Sequence, residues 1–275
     1  MNLIGPKSIK HFLPHFFNKN REQFNNKIVL DIPAGEGVSS KLLQDIGAQV
    51  IPFDLFPEFF KVDGLSCRYA DLNKAIPVDD AYADFILCQE GIEHLPNQLS
   101  AFQEMNRVLK KQGRLILTTP NYSSLRSRLS YFFTESEYLH KIMPPNEIDS
   151  VWFAPNDEEN VYYGHIFLLG IQKMRAIAKL AGFRIHKVHS IRANGVSVLL
   201  FIVFYPFIYL SSIFSYFKAC KKAKRNGLVN YKETYKEATR LLRNPAVLTE
   251  GYLFVEFEKD MELGDVRKSL KSVLG

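Results

Sequence analysis

The chain has 275 residues, 47% of them hydrophobic, and a net charge of +6, which bounds it at one large α/β core or one core plus an appendage. Three scattered cysteines (Cys67, Cys88, Cys220) have neither metal-ligand spacing nor a disulfide pattern, so a reducing interior is expected. The first residues, MNLIGPKSIKHFL, lack a charged segment followed by an apolar one, which argues against a secretory signal, and no internal repeat is visible.

Residues 1–26 read as one short helix, with Ile9, Phe12, Leu13, Phe16 and Phe17 on its apolar side. The stretch KIVLDIPAGEGVSS at 27–40 follows, and the rest of the chain is arranged around it. Ile28, Val29 and Leu30 make a buried parallel strand with Asp31 at its carboxyl end. A turn of Pro33, Ala34, Gly35, Glu36 and Gly37 then enters a helix over 38–46 that ends at Gly47. Strand, glycine turn and helix N-terminus form a mononucleotide cradle, because glycine lets the backbone approach a ligand closely. A second strand over 49–53 ends in Asp54, placed where an acid accepts hydrogen bonds from ribose hydroxyls. The glycines do not fit G-x-G-x-x-G, which disfavours a dinucleotide. The turn resembles motif I of the class I S-adenosylmethionine (SAM) methyltransferases, D/E-x-G-x-G-x-G, with Pro33 at the first glycine.

After Asp54 comes a loop rich in Phe and Pro. Asp71 and Leu72 then stand where that family carries an acid for the adenine amino group and an apolar neighbour for the ring. A fourth strand is predicted over 85–88, an amphipathic helix over 97–112, and a fifth strand over 114–118. The resemblance covers 27–191. It implies a doubly wound, Rossmann-like, seven-stranded α/β sheet, with SAM held by Asp31, Gly35, Gly37, Asp54, Asp71 and Leu72 and with Gln89 at the methionine end.

Glu90, Glu93 and His94 form E-x-x-E-H, and in a first helical turn these positions share a face. Two carboxylates and an imidazole there can hold a divalent cation such as Mg²⁺, which would ease loss of a hydroxyl proton. The same signature resembles the metal motif of methyltransferases acting on catechol-type quinone precursors or on the terminal ribose of small RNAs. The alternative leaves Glu93 capping the next helix and His94 packing on the cofactor. Residues 121–163 are too long for a plain connector and read as a substrate lid. They carry Tyr131, Phe132, Phe133, Tyr138, Trp152, Phe153, Tyr162 and Tyr163, with Arg126 and Arg128 available for a phosphate. Their Ser-Leu-Arg-Ser-Arg run is similar to bacterial methyltransferases of surface-polysaccharide synthesis. His165 precedes a helix over 171–180 that closes on Ala-Gly-Phe, and this family pattern implies a fourth metal ligand or a general base. His186 and His189 read as structural.

Residues 196–217 contain no charge, yet Pro206 divides them into pieces too short to cross a bilayer. Residues 218–243 hold nine basic groups against two acidic ones, a net +7, so the remainder of the chain sums to −1. That argues for an anionic membrane surface rather than nucleic acid. The expectation is a re-entrant or interfacial helical pair, with a buried cap or a homodimer face as the alternative. Residues 247–257 read as the last strand, returning to the sheet. The predicted organisation is thus a helix (1–26), a SAM methyltransferase core (27–194), a hydrophobic and basic insertion (195–246), and a final strand with its tail (247–275). The expected activity is O-methylation of a hydroxyl on a glycan, lipid-linked sugar or quinol, by a cytoplasmic enzyme peripheral on the inner face of the membrane. An NAD(P) oxidoreductase and a non-catalytic membrane-docked module are the alternatives.

Overall fold

A computed structural model describes residues 9–136, 145–154 and 157–274. Helix α1 (Ile9–Lys19) and the helical turn α2 (Arg21–Phe24) precede β1 (Ile28–Asp31), α3 (Val38–Asp45) and β2 (Gln49–Asp54). The short β3 (Arg68–Tyr69), then β4 (Ala83–Gln89), α4 (Gln98–Val108) and β5 (Leu109–Pro120) follow. Next come α5 (Leu125–Thr134), the turn α6 (Glu147–Ser150), the hairpin of β6 (Val151–Ala154) and β7 (Asp157–Tyr163), α7 (Ile171–Leu180) and β8 (Phe183–His189). The chain closes with α8 (Gly195–Arg225), α9 (Tyr231–Leu242), α10 (Pro245–Thr249), β9 (Tyr252–Lys259) and α11 (Leu263–Leu274).

Seven strands make one sheet in the order β3-β2-β1-β4-β5-β9-β8. Pairings from β3 to β5 are all parallel, and β9 runs antiparallel to both β5 and β8. Strand order reverses between β1 and β4, and this switch point opens a crevice at the carboxyl edge. Side chains alternate across the sheet. Ile86 and Cys88 enter the core with Phe102, Met105 and Phe183, whereas Phe85 and Leu87 enter a second core with Phe16, Phe24 and Leu43. Both faces are therefore covered, as the apolar runs of the strands require. His189 stacks on Phe254 and bonds Glu256 at 2.9 Å, and His186 sits 3.3 Å from Glu258, so both are structural.

Four sequence expectations shift. The first helix breaks at Asn20, whose side-chain amide donates to Phe16 O at 2.7 Å and ends α1. The helix predicted to 112 stops at Val108, because Leu109 is drawn into the core and pairs with Ala83. The final strand starts at Tyr252, since Asn244 accepts from the amides of Ala246 and Val247 and, with Pro245, starts the helical turn α10. The apolar stretch is one continuous helix, not a pair. Pro206 removes one backbone bond, but α5 and α10 pack on α8 near its start and α9 packs along it further on, so both halves are held.

Candidate active site

The cradle is built where β1 and β2 end. Asp31 is buried, and its Oδ2 accepts from Ser40 Oγ of α3 at 2.6 Å. Its Oδ1 has no hydrogen-bond partner. Burial pushes this carboxyl up to about 7, the Ser40 bond opposes that shift, and the Asp54 carboxylate adds to it. Asp54, at the end of β2, accepts from the amide of Gly35 on Oδ2 at 2.7 Å and from the amide of Phe56 on Oδ1 at 2.9 Å. A carboxylate has about four lone-pair sites, so acceptor capacity remains on Asp54 for ribose hydroxyls.

Gly35 and Gly37 have φ of +54° and +91°. In front of the Gly35 Cα a Cβ would meet nothing within 4 Å, which leaves that side of the turn open to a ligand, while the Gly35 amide itself is held by Asp54. At Gly37 a Cβ would strike Val62 at 2.5 Å and Phe60 at 2.6 Å, so a side chain is excluded twice over. Ser39 Oγ donates to Gln89 Oε1 at 2.8 Å and ties the start of α3 to the end of β4. Asp71 closes a turn by accepting from the amide of Asn73 at 2.9 Å, with Leu72 buried beside it. The buried, unpartnered Asp31 oxygen, the open Gly35 face and the strand-end acids fit a cationic nucleoside cofactor.

Pro33, where the motif has glycine, is accommodated by a glycine elsewhere. A Cβ on Gly91 would lie 2.5 Å from the Pro33 ring, although φ of −119° at Gly91 suits any residue. Gly91→Ala should therefore act through this contact alone and destabilise the fold by about 1–3 kcal/mol, the cost of overfilling a packed position. A thermal melt equal to that of the parent would show that the ring simply moves aside.

The second cluster follows β4. Glu90 has φ of +49°, and only Ile92–His94 form a helical turn, of the tight 3₁₀ type. The three residues of E-x-x-E-H therefore do not share one helical face. The ligand atoms of Glu93, His94 and His165 instead lie within 4.8 Å of one another, and Glu90 is outside that group. Glu93 is fully buried, accepts from Thr119 Oγ1 at 3.0 Å and leaves Oε1 without a hydrogen bond. Burial raises its carboxyl to about 7, the bonds it accepts oppose this, and the Glu90 charge adds to it. It does not cap the next helix; Asn97 does so, accepting from Ser100 N. His94 Nδ1 lies 2.8 Å from Tyr163 O. A carbonyl only accepts, so Nδ1 carries the proton and the Nε2 lone pair remains for chemistry. The rings of His94 and His165 are 5.0 Å apart.

The hairpin of β6 and β7 lies over the cradle loop, with Trp152 stacked on Tyr162 at 4.8 Å and Phe56 against both rings. Tyr131, Phe132 and Phe133 of α5 are exposed, and Tyr138 lies outside the described residues. Arg126 donates its backbone amide to Ser197 Oγ, and Arg128 is half-buried with no ionic partner among the described residues. Two further residues border the site without a sequence signal. Thr119 holds Glu93, and the Tyr252 hydroxyl is pushed up by burial and by the charges of Glu90 and Glu93.

Comparison with known proteins agrees with this geometry. Residues 5–188 match a family described as a methyltransferase domain. A ubiquinone biosynthesis O-methyltransferase of Xanthomonas oryzae is 31% identical over 125 residues, which are 42% of this chain and 52% of the relative. A Xanthomonas campestris protein of the same name is 31% identical over 129 residues, with the same coverage. The chain thus spans about half the length of the curated relatives it matches. Among solved structures, YcgJ of Bacillus subtilis is similar with a TM-score of 0.52 at 16% identity, covering 91% of this chain and 99% of that one. A SAM-dependent methyltransferase of Listeria monocytogenes is similar with a TM-score of 0.50 at 14% identity, covering 90% and 98%. At those identities the likeness concerns the fold. Motif, sheet order, cradle and family match agree: the chain belongs to the methyltransferase domain family, with the sheet of its class I fold.

Proposed function

We propose that the enzyme transfers a methyl group from SAM to a hydroxyl oxygen of a quinol-type aromatic acceptor. The observation that carries this reading is the convergence of Glu93, His94 and His165 beside the cradle. Bound SAM supplies an electrophilic methyl on a cationic sulfonium. Asp31, Gly35, Gly37, Asp54, Asp71, Leu72 and Gln89 would hold it, with Asp31 and Gln89 toward the charged amino-acid end and Asp54 toward the ribose.

A neutral hydroxyl attacks poorly until its proton leaves, so an acceptor for that proton must stand beside it. Glu93 at about 7 is suited to this near neutral pH, and the Nε2 of His94 offers a free lone pair beside it. Exposed His165 can pass the proton on to solvent. The curated relatives are named for O-methylation in ubiquinone biosynthesis, which supports a quinol over a glycan, a lipid-linked sugar or RNA. The aromatic hairpin over the cradle gives a flat ring a surface to stack on.

A second reading is favoured by the same cluster. Two imidazole nitrogens and one carboxylate oxygen within 4.8 Å offer three ligands to a divalent cation, a nitrogen-rich set that suits a transition metal such as Mn²⁺ better than Mg²⁺, with Glu90 no longer a ligand. The deciding experiment incubates the protein with labelled SAM and either a catechol or a sugar acceptor, and follows products by mass spectrometry. A single methyl on the catechol hydroxyl is expected, and methylation of the sugar alone would overturn the acceptor class. Loss of turnover in chelator with SAM binding retained would select the cation; full turnover in chelator would leave proton transfer to the side chains.

A further inference from the structure

Helix α8 carries a surface that methyl transfer does not use. Among the described residues it is the one helix long and apolar enough to cross a membrane. Its small residues Ser197, Ser212 and Ala223 are buried, while Leu199 (65%), Val203, Phe207, Leu210, Phe214 (69%) and Phe217 stand exposed. These six recur at intervals of three and four, so they form one row along the helix. Lys221 and Lys224 continue the same row past Phe217, and Lys218 and Arg225 flank it, all of them exposed. Ile202 widens the face, and with Phe207 it spans about 140° at 100° per residue, broader than a coiled-coil seam.

The topology excludes a crossing. A span would put α9 on the far side, and α9 is a polar helix that lies against α8. It is also tied to the catalytic core. Arg175 of α7 pairs with Glu237 at 3.1 Å, Gln172 donates to Ala238 O at 2.8 Å, and β9 then returns between β5 and β8. The bare face of α8 must be covered from one side only.

We propose that α8 lies in the plane of an anionic lipid bilayer, its apolar row among the acyl chains and its basic end at the headgroups. Charge selects this occupant. Residues 218–243 carry +7 while the rest of the chain sums to −1, so the attraction is local to this helix and its neighbour. A second copy seated on the same face would set either its own basic end or the uncharged 196–217 stretch against residues 218–225, and in neither case an acidic partner. The docking helix lies beyond the residues matched by the methyltransferase family and contributes no strand to the sheet.

The test sediments the full chain with sealed vesicles of phosphatidylcholine, with or without phosphatidylglycerol. It is run at low salt and at about 1 M salt, where the screening length falls to about 3 Å. Binding is expected on phosphatidylglycerol vesicles and is expected to fall at least tenfold in high salt. Phe207→Glu with Phe214→Glu should abolish it. Gln at positions 218, 221, 224 and 225 should reduce it at least tenfold. SAM binding, measured by calorimetry, should be unchanged in both variants, which separates docking from folding and from the cradle. A parent protein that ignores both vesicle types would overturn the proposal. So would equal binding to phosphatidylcholine alone, or a dimer in solution that Phe214→Glu converts to monomer.

Discussion

His165→Ala is expected to lower kcat by about 10²–10⁴-fold, the usual contribution of a positioned proton-transfer group, with SAM affinity unchanged. His165 is exposed and stands outside the cradle, so its removal should spare both the fold and the cofactor site. Two rescue measurements separate its roles. If it relays the proton, free imidazole should restore part of kcat and the acid limb of the pH profile should move. If it is a cation ligand, turnover should instead recover with excess Mn²⁺ and ignore imidazole. A variant that keeps the parental kcat would remove His165 from the chemistry and leave Glu93 and His94 as the working pair.

The cradle was readable because its signals are local. An apolar strand, an acid at its end and two glycines at positive φ specify their own conformation within ten residues of sequence. Sequence and structure part where distant contacts decide. E-x-x-E-H assumes a helix starting at Glu90, but Glu90 takes a positive φ and the helical turn begins only at Ile92. Pro206 should cost an isolated helix about 3 kcal/mol, yet α5, α9 and α10 hold α8 on both sides of it. Thr119 and Tyr252 could not be found by motif, because one acts through Glu93 and the other arrives on a strand more than 150 residues away from Glu90.

Asp31 yields a prediction in which fold stability and cofactor affinity respond oppositely to pH. Burial holds its carboxyl at about 7 against an ordinary value of 3.8, so the fold favours the protonated form. The stability this group contributes is complete below the unfolded value and is lost as pH rises through about 7. The unliganded protein should therefore unfold at a lower temperature at pH 8 than at pH 5 through this group, and Asp31→Asn should remove that part of the dependence. A ligand ammonium held by the unpartnered Oδ1 would reverse the preference, because it needs the carboxylate. SAM affinity should weaken as pH falls below 7, by up to about tenfold per unit. Between pH 7 and pH 5 the dissociation constant should rise by as much as about a hundredfold, and calorimetry should register proton release on binding near pH 6. In Asp31→Asn the affinity should be weak and flat across the same interval. A parent profile that is flat from pH 5 to pH 8 would mean that Asp31 keeps its proton with SAM bound, and the ammonium would then belong to Gln89 Oε1 and the loop carbonyls.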